Sequence, residues 1–130
     1  MFGILLALAL NAAPEPQSQQ PDVTAATTWV GLVDAKRWSD SWAAAGALFQ
    51  SQMPQARWAS NIAPVRAPLG SVTSRALKSV TKSKTLPGAP DGEYELLQFV
   101  TSFANKSTST ETVVLAREAS GWKVNGYFIR

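Results

Sequence analysis

The chain has 130 residues, 45% hydrophobic and 16% charged, with five tryptophans and a net charge of +3. That length suits one domain with a single core, the composition argues against disorder, and so small and scattered a charge leaves no nucleic-acid footprint. Without cysteine or histidine, the chain lacks a disulfide, a lipid-bearing cysteine, a Ser-His-Asp or Cys-His nucleophile and the usual zinc, haem and iron–sulfur ligands.

Residues 1–13, MFGILLALALNAA, are apolar from Phe2 to Leu10 and end on the small Ala12 and Ala13. An apolar stretch, then small residues, then a polar start reads as a signal peptide cleaved near Ala12 or Ala13. The run is shorter than the about 20 residues that cross a bilayer, so no integral membrane span is expected. No Lys or Arg precedes it, which leaves the positive charge to the amino terminus or to residues further upstream. A buried N-terminal helix is the competing reading, and Pro14 and Pro16 would break it. The expected location is therefore the periplasm or the exterior. PEPQSQQPD, residues 14–22, reads as a flexible Pro/Gln-rich spacer, and residues 23–130 as a single α+β domain.

Three helices are predicted first. Ala26, Trp29 and Val33 recur at helical spacing, with Thr24 or Asp22 as candidate caps. Trp38, Trp42, Ala45 and Phe49 follow as one stripe at i, i+4, i+7 and i+11. Trp58, Ile62 and Val65 make the third stripe, opened by Pro54 and closed by Pro64 and Pro68. Tryptophans at such spacing are read as core before they are read as the wall of a pocket.

After Gly70 the pattern changes to strands. SVTSRALKSV runs towards Lys84, EYELLQFVTSF is apolar on both faces, ETVVLAREA follows, and WKVNGYFIR closes the chain. LPGAPDGE, NKSTST and Ser120-Gly121 supply the turns. Gly126 marks a bulge or bend in the last strand. The last strand is expected to turn Trp122, Val124 and Phe128 one way and Tyr127 and Ile129 the other. An apolar outer side there suggests cover by a second subunit, hence a homodimer through the sheet. The fold class is α+β: three N-terminal helices packed on a curved four-stranded antiparallel sheet.

TWVGLVDAKRWSDSW, RWASNIAPVRAPLGSVTSRALKS, LPGAPDGEYELLQFVTSFANK and ETVVLAREASGWKVNGYFI together resemble the bacterial secreted proteins grouped as domain of unknown function 4019. The most specific stretches are Arg66 to Gly70, Ser74-Arg75, and Gly121-Trp122 with Val124, Gly126 and Tyr127. The resemblance implies a cone-shaped fold similar to nuclear transport factor 2 and ketosteroid isomerase, and an envelope compartment. It implies no reaction.

The expected function is an exported binding or interaction module of the cell envelope, with no catalytic residues, no metal and no cofactor assigned. Its ligand would be a small anionic or apolar molecule. Arg66 and Arg75 flank the Pro-Leu-Gly corner in RAPLGSVTSR and could grip an anion as two forks. The competing reading, which is preferred, is a structural ion pair to Asp34 or Glu95. Trp42, Trp58 and Tyr94 are the candidate pocket walls. The alternative function is an acid/base enzyme of the cone-shaped type, with Asp34 or Asp40 as base and Tyr94 or Tyr127 as donor. Asp40 opens a helix and Asp34 closes one, so dull structural roles compete with catalysis for both. Glu93 and Glu111 are placed at strand starts, in water. Lys78, Lys82 and Lys84 are placed on one strand face, where they protect a sheet edge. Asn105-Lys106-Ser107 fits a glycosylation sequon, with little weight in a chain of bacterial character.

Overall fold

A computed structural model describes residues 20–130, so the expected signal segment and residues 14–19 of the expected spacer lie outside the described residues. The order is α1 (Pro21–Asp34), α2 (Trp38–Ala44), α3 (Ala47–Gln52), α4 (Gln55–Arg66), a 3-10 turn (Ala67–Leu69), then β1 (Val72–Ser83), β2 (Tyr94–Phe103), β3 (Lys106–Glu118) and β4 (Gly121–Ile129). The strands form one open antiparallel meander in the order β1-β2-β3-β4. No helix among the described residues is long and apolar enough to cross a membrane.

α1 takes in Pro21 and Asp22, which the sequence reading leaves in the spacer. It buries Val23, Ala26, Trp29, Val30 and Val33, the expected stripe widened by two valines. Its exit is a tight cap: Lys36 N–H donates to Val33 O, Arg37 N–H donates to Leu32 O, and Lys36 sits at φ 59°. That left-handed cap usually takes glycine.

The single long stripe from Trp38 to Phe49 is divided into α2 and α3. Ala45 and Gly46 are extended between them, and Gly46 N–H donates to Val124 O of β4 at 2.7 Å. A Cβ on Gly46 would stand 2.8 Å from Glu118 Oε2 and 3.3 Å from Val124 O, so a side chain there would displace Glu118 and crowd the β4 backbone. The domain thus has four α-helices where three were expected. In α4, Trp58 and Ile62 are buried but Val65 is exposed, and Arg66 completes the buried stripe at i, i+4, i+8. Pro64, expected to help end the helix, lies inside it, two residues before its last residue Arg66.

The helices cover one face of the sheet. Leu97, Phe99, Val113, Leu115, Val124 and Tyr127 meet the helical tryptophans there. Trp58 packs edge-on to Phe49, and Trp29 lies between Trp58 and Tyr127. Bulges decide which side chains reach this face. Thr73 and Lys78 fall outside the β1–β2 ladder, so Val72, Arg75, Leu77, Val80 and Lys82 share the covered face. The expected single face for Lys78, Lys82 and Lys84 fails for that reason. Asn125 is the extra residue in β4, because Val114 pairs with Gly126 and Leu115 with Val124. Val124 and Tyr127 therefore both face the core, and Phe128 turns outward, 60% exposed.

Candidate functional site

The corner RAPLGS is fastened from the β2–β3 turn. Asn105 N–H donates to Leu69 O, the Asn105 side-chain amide donates to Pro68 O, and Ala104 N–H donates to Ser71 O. Gly70 has φ 76°, and a Cβ there would sit 3.1 Å from the Asn105 amide nitrogen. The corner thereby sets Arg66 at the end of α4 opposite Arg75 near the start of β1.

Both arginines reach Asp34, the last residue of α1. Arg66 Nη2 donates to Asp34 Oδ1 at 2.6 Å; Arg75 Nη1 and Nη2 donate to Oδ2 and Oδ1 at 2.8 and 2.9 Å. Arg75 turns its other edge to Glu111, with Nε donating to Oε1 at 2.7 Å and Nη2 to Oε2 at 3.2 Å. Thr101 and Tyr127 donate their hydroxyls to the two oxygens of Glu111. Arg66 lies 5.0 Å above the Phe103 ring, a cation–π position. Glu111 is 0% exposed and Arg66 6%. Two guanidinium groups thus meet two carboxylates, and the cluster is closed in charge.

Burial by itself would raise the Asp34 carboxyl, but hydrogen bonds from Arg75 and Arg66, and their charges, hold it below the ordinary range. For Arg75 burial works against the charge, yet the bonds to Asp34 and Glu111 win and push it above its usual value. Tyr127 is pushed well up, first by burial and then by the charge of Glu111.

Of the sequence-derived candidates, the structure brings together Arg66, Arg75, Asp34 and Tyr127. The anion between the two forks is the chain's own Asp34; Glu95, the other named partner, is not in the cluster. Trp58 is buried and donates its Nε1–H to Ser41 Oγ, and Trp42 donates to Met53 O. Asp40 is exposed and pairs with Arg37 at 2.6 Å. Tyr94 donates to Pro90 O and stands seven residues along β2 from Thr101, about 23 Å away at ~3.3 Å per residue. Sequence reasoning missed Glu111. β3 starts at Lys106, so Glu111 lies inside the strand and shares the covered face with Val113 and Leu115. Glu93 is exposed, as expected, and faces Arg117 at 3.6 Å.

Tyr94 belongs instead to a groove of about 400 Å³ beside the first residues of β2, where Lys82, Lys84, Arg117 and Trp122 also line the walls. Arg117 lies 5.6 Å from the Trp122 ring centre. A second hollow of about 440 Å³ shares Lys82, Glu95, Arg117 and Trp122 with it and reaches Asp22 at the start of α1. Glu95 opposes Lys82 in the ladder. It is 4% exposed, and its Oε2 accepts no hydrogen bond among the described residues. Burial raises Glu95 to about 7, the neighbouring Asp22 adds to the rise, and Lys82 and Arg117 oppose it. No group of three or more acidic residues that could hold a metal ion occurs among the described residues.

The family model described as protein of unknown function (DUF4019) matches residues 25–127. The chain belongs to that family. No curated protein matches the chain. The matched span holds Asp34, Arg66, Arg75, Thr101, Glu111 and Tyr127 as well as most of the groove; Asp22 lies outside it.

Proposed function

We propose that this member of the DUF4019 family is an exported binding module of the bacterial envelope, with a cone-shaped fold of the nuclear transport factor 2 type. The groove at Lys82, Arg117 and Trp122 is where it holds a small anionic ligand with an apolar body. The apolar run from Phe2 to Leu10, followed by Ala12 and Ala13, supports export. Four helices on one face of an antiparallel sheet are compatible with a cone.

The groove itself carries the binding reading. Two aromatic side chains, Tyr94 and Trp122, stand among Lys82, Lys84 and Arg117 in a hollow of ligand size. The acid/base alternative is poorly served, because its parts are engaged elsewhere. Both oxygens of Asp34 accept from arginines, and the Tyr127 hydroxyl is spent on Glu111. A carboxyl held below its ordinary range is also a weak base.

Naphthalene-2-sulfonate, an aromatic anion at every working pH, tests the groove by calorimetric titration at pH 6. We expect Lys82→Ala and Arg117→Ala each to weaken binding about tenfold, the share of one desolvated charged contact. An uncharged naphthalene of the same size that binds equally well, or two variants that bind like wild type, would overturn the reading.

Self-association through the sheet is supported by a separate feature. Phe128 and Val100 are exposed on the face away from the helices, 60% and 37% respectively. Phe128→Ser should convert dimer to monomer in sedimentation at micromolar concentration; a wild-type chain that sediments as a monomer up to about 100 μM sinks this part, since its ~5 kcal/mol of association would be too weak to matter.

A further inference from the structure

The groove has one feature that a plain anion site would not need. Its inner wall carries an acid, Glu95, 96% buried by its 4% exposure, with Oε2 meeting no donor among the described residues. Charged groups face it from every neighbouring element: Asp22 from α1, Lys82 from β1, Glu93 from just before β2 and Arg117 from β3, with Lys84 at the rim. Trp122 from β4 is the uncharged side. With Glu95 neutral, three cations outnumber two carboxylates, and the groove attracts an anion. With Glu95 ionised the two signs balance, and a carboxylate stands bare where the anion must come.

Resting on the binding reading above, we propose that the groove takes up its anionic ligand together with a proton, which stays on Glu95 in the complex. The ligand's anionic group lies between Lys82 and Arg117, its apolar body lies along Trp122, and the neutral Glu95 carboxyl donates a hydrogen bond either to the ligand or to Asp22. No bond is made or broken apart from the transfer of one proton from solvent to a carboxylate oxygen of Glu95. Ligand and proton then favour each other reciprocally, as linkage requires. The free groove has Glu95 raised to about 7, so the coupling falls in the neutral range.

The test is the affinity for naphthalene-2-sulfonate from pH 5.5 to 9, a range in which the sulfonate itself does not titrate. Wild-type affinity should fall at least about fivefold between pH 6 and pH 8.5, the lower end of ordinary site-to-site coupling. At pH 7.5, titrations in two buffers of different ionisation enthalpy should reveal net proton uptake. Glu95→Gln keeps the shape without the titration, so its affinity should be flat with pH and equal the acid-form value throughout. Asp22→Asn removes the negative neighbour and should move the wild-type transition to lower pH, which supplies a second readout should Glu95→Gln fold poorly. Binding that does not change with pH, or a Glu95→Gln variant with the wild-type slope, overturns the proton linkage while the anion groove stands. Absence of sulfonate binding at pH 6 overturns both.

Discussion

Two acids, Glu111 and Glu95, sit on the helix-covered face of the sheet, and their surroundings could hardly differ more. Glu111 accepts from Arg75, Thr101 and Tyr127, and Arg75 in turn shares Asp34 with Arg66. Glu95 faces another acid and keeps an oxygen without a donor. The first cluster is closed: its charges cancel and its carboxylate oxygens are used. The second is open to a groove and held in an ionisation state that solvent pH can change. A closed cluster of this kind welds α1, α4 and all four strands into one corner, whereas an open one leaves chemistry available for a visitor. The arginines of RAPLGSVTSR, the most conspicuous cations in the sequence, belong to the welded side.

Breaking the closed cluster should have the largest effect. Arg75→Leu leaves Glu111 buried and Asp34 half-served, and should cost about 3–5 kcal/mol in urea unfolding, as loss of one partner of a buried pair does. A cost below about 1 kcal/mol, with the anion affinity of the groove abolished, would mean that the two regions have been assigned the wrong way round.

The pH dependence of stability separates the clusters at intermediate scale. Asp34 is lowered from 3.8, so its contribution is complete above that value and is lost as pH falls through the folded-state value. Glu95 is raised from 4.5 to about 7, so the folded state binds the extra proton and stability declines as pH rises from about 4.5 through 7. Thermal unfolding should therefore show a maximum on the acid side of neutrality. Glu95→Gln should remove the decline and raise the wild-type Tm at pH 8 by a few degrees. If that variant melts lower than wild type at pH 8, Glu95 is bound into the fold as Glu111 is, and the contrast fails.

The smallest effect is the sharpest control. Lys82 is exposed on an edge strand, so Lys82→Ala should leave stability within about 0.5 kcal/mol even as it weakens sulfonate binding. Loss of both together would place Lys82 in the frame of the fold instead of in its groove.

Much of this architecture was readable from residue order. The stripe of Ala26, Trp29 and Val33, the Trp58 and Ile62 positions of the third stripe, the turn residues of LPGAPDGE and Ser120-Gly121, and the strand runs of β1, β2 and β4 matched their elements, whereas Val65 is exposed and β3 begins at Lys106, inside the expected NKSTST turn. Glu111 and Glu95 were legible in principle, since each lies two residues before an apolar run on the same face, Val113–Leu115 and Leu97–Phe99. Glu111 was hidden by a strand start placed beside it and by the habit of setting acids in water, and Glu95 by its assignment as a partner for the arginines. Asp34 carried a signal too, for an acid ending a helix opposes the helix dipole and calls for a cation from elsewhere.

By itself, the order of residues determined the element types, their succession and the α+β class, because helical and strand periodicities, prolines and turn glycines act over a few neighbours. Tertiary structure decided the division of α2 from α3, through the close approach of Gly46 to Val124. It also decided the side of every residue beyond a bulge: Thr73, Lys78 and Asn125 each shift the alternation by one place, and no local periodicity reports that. The partners of Arg66 and Arg75 were settled the same way, since Asp34 lies 32 and 41 residues away and only packing brings it between them.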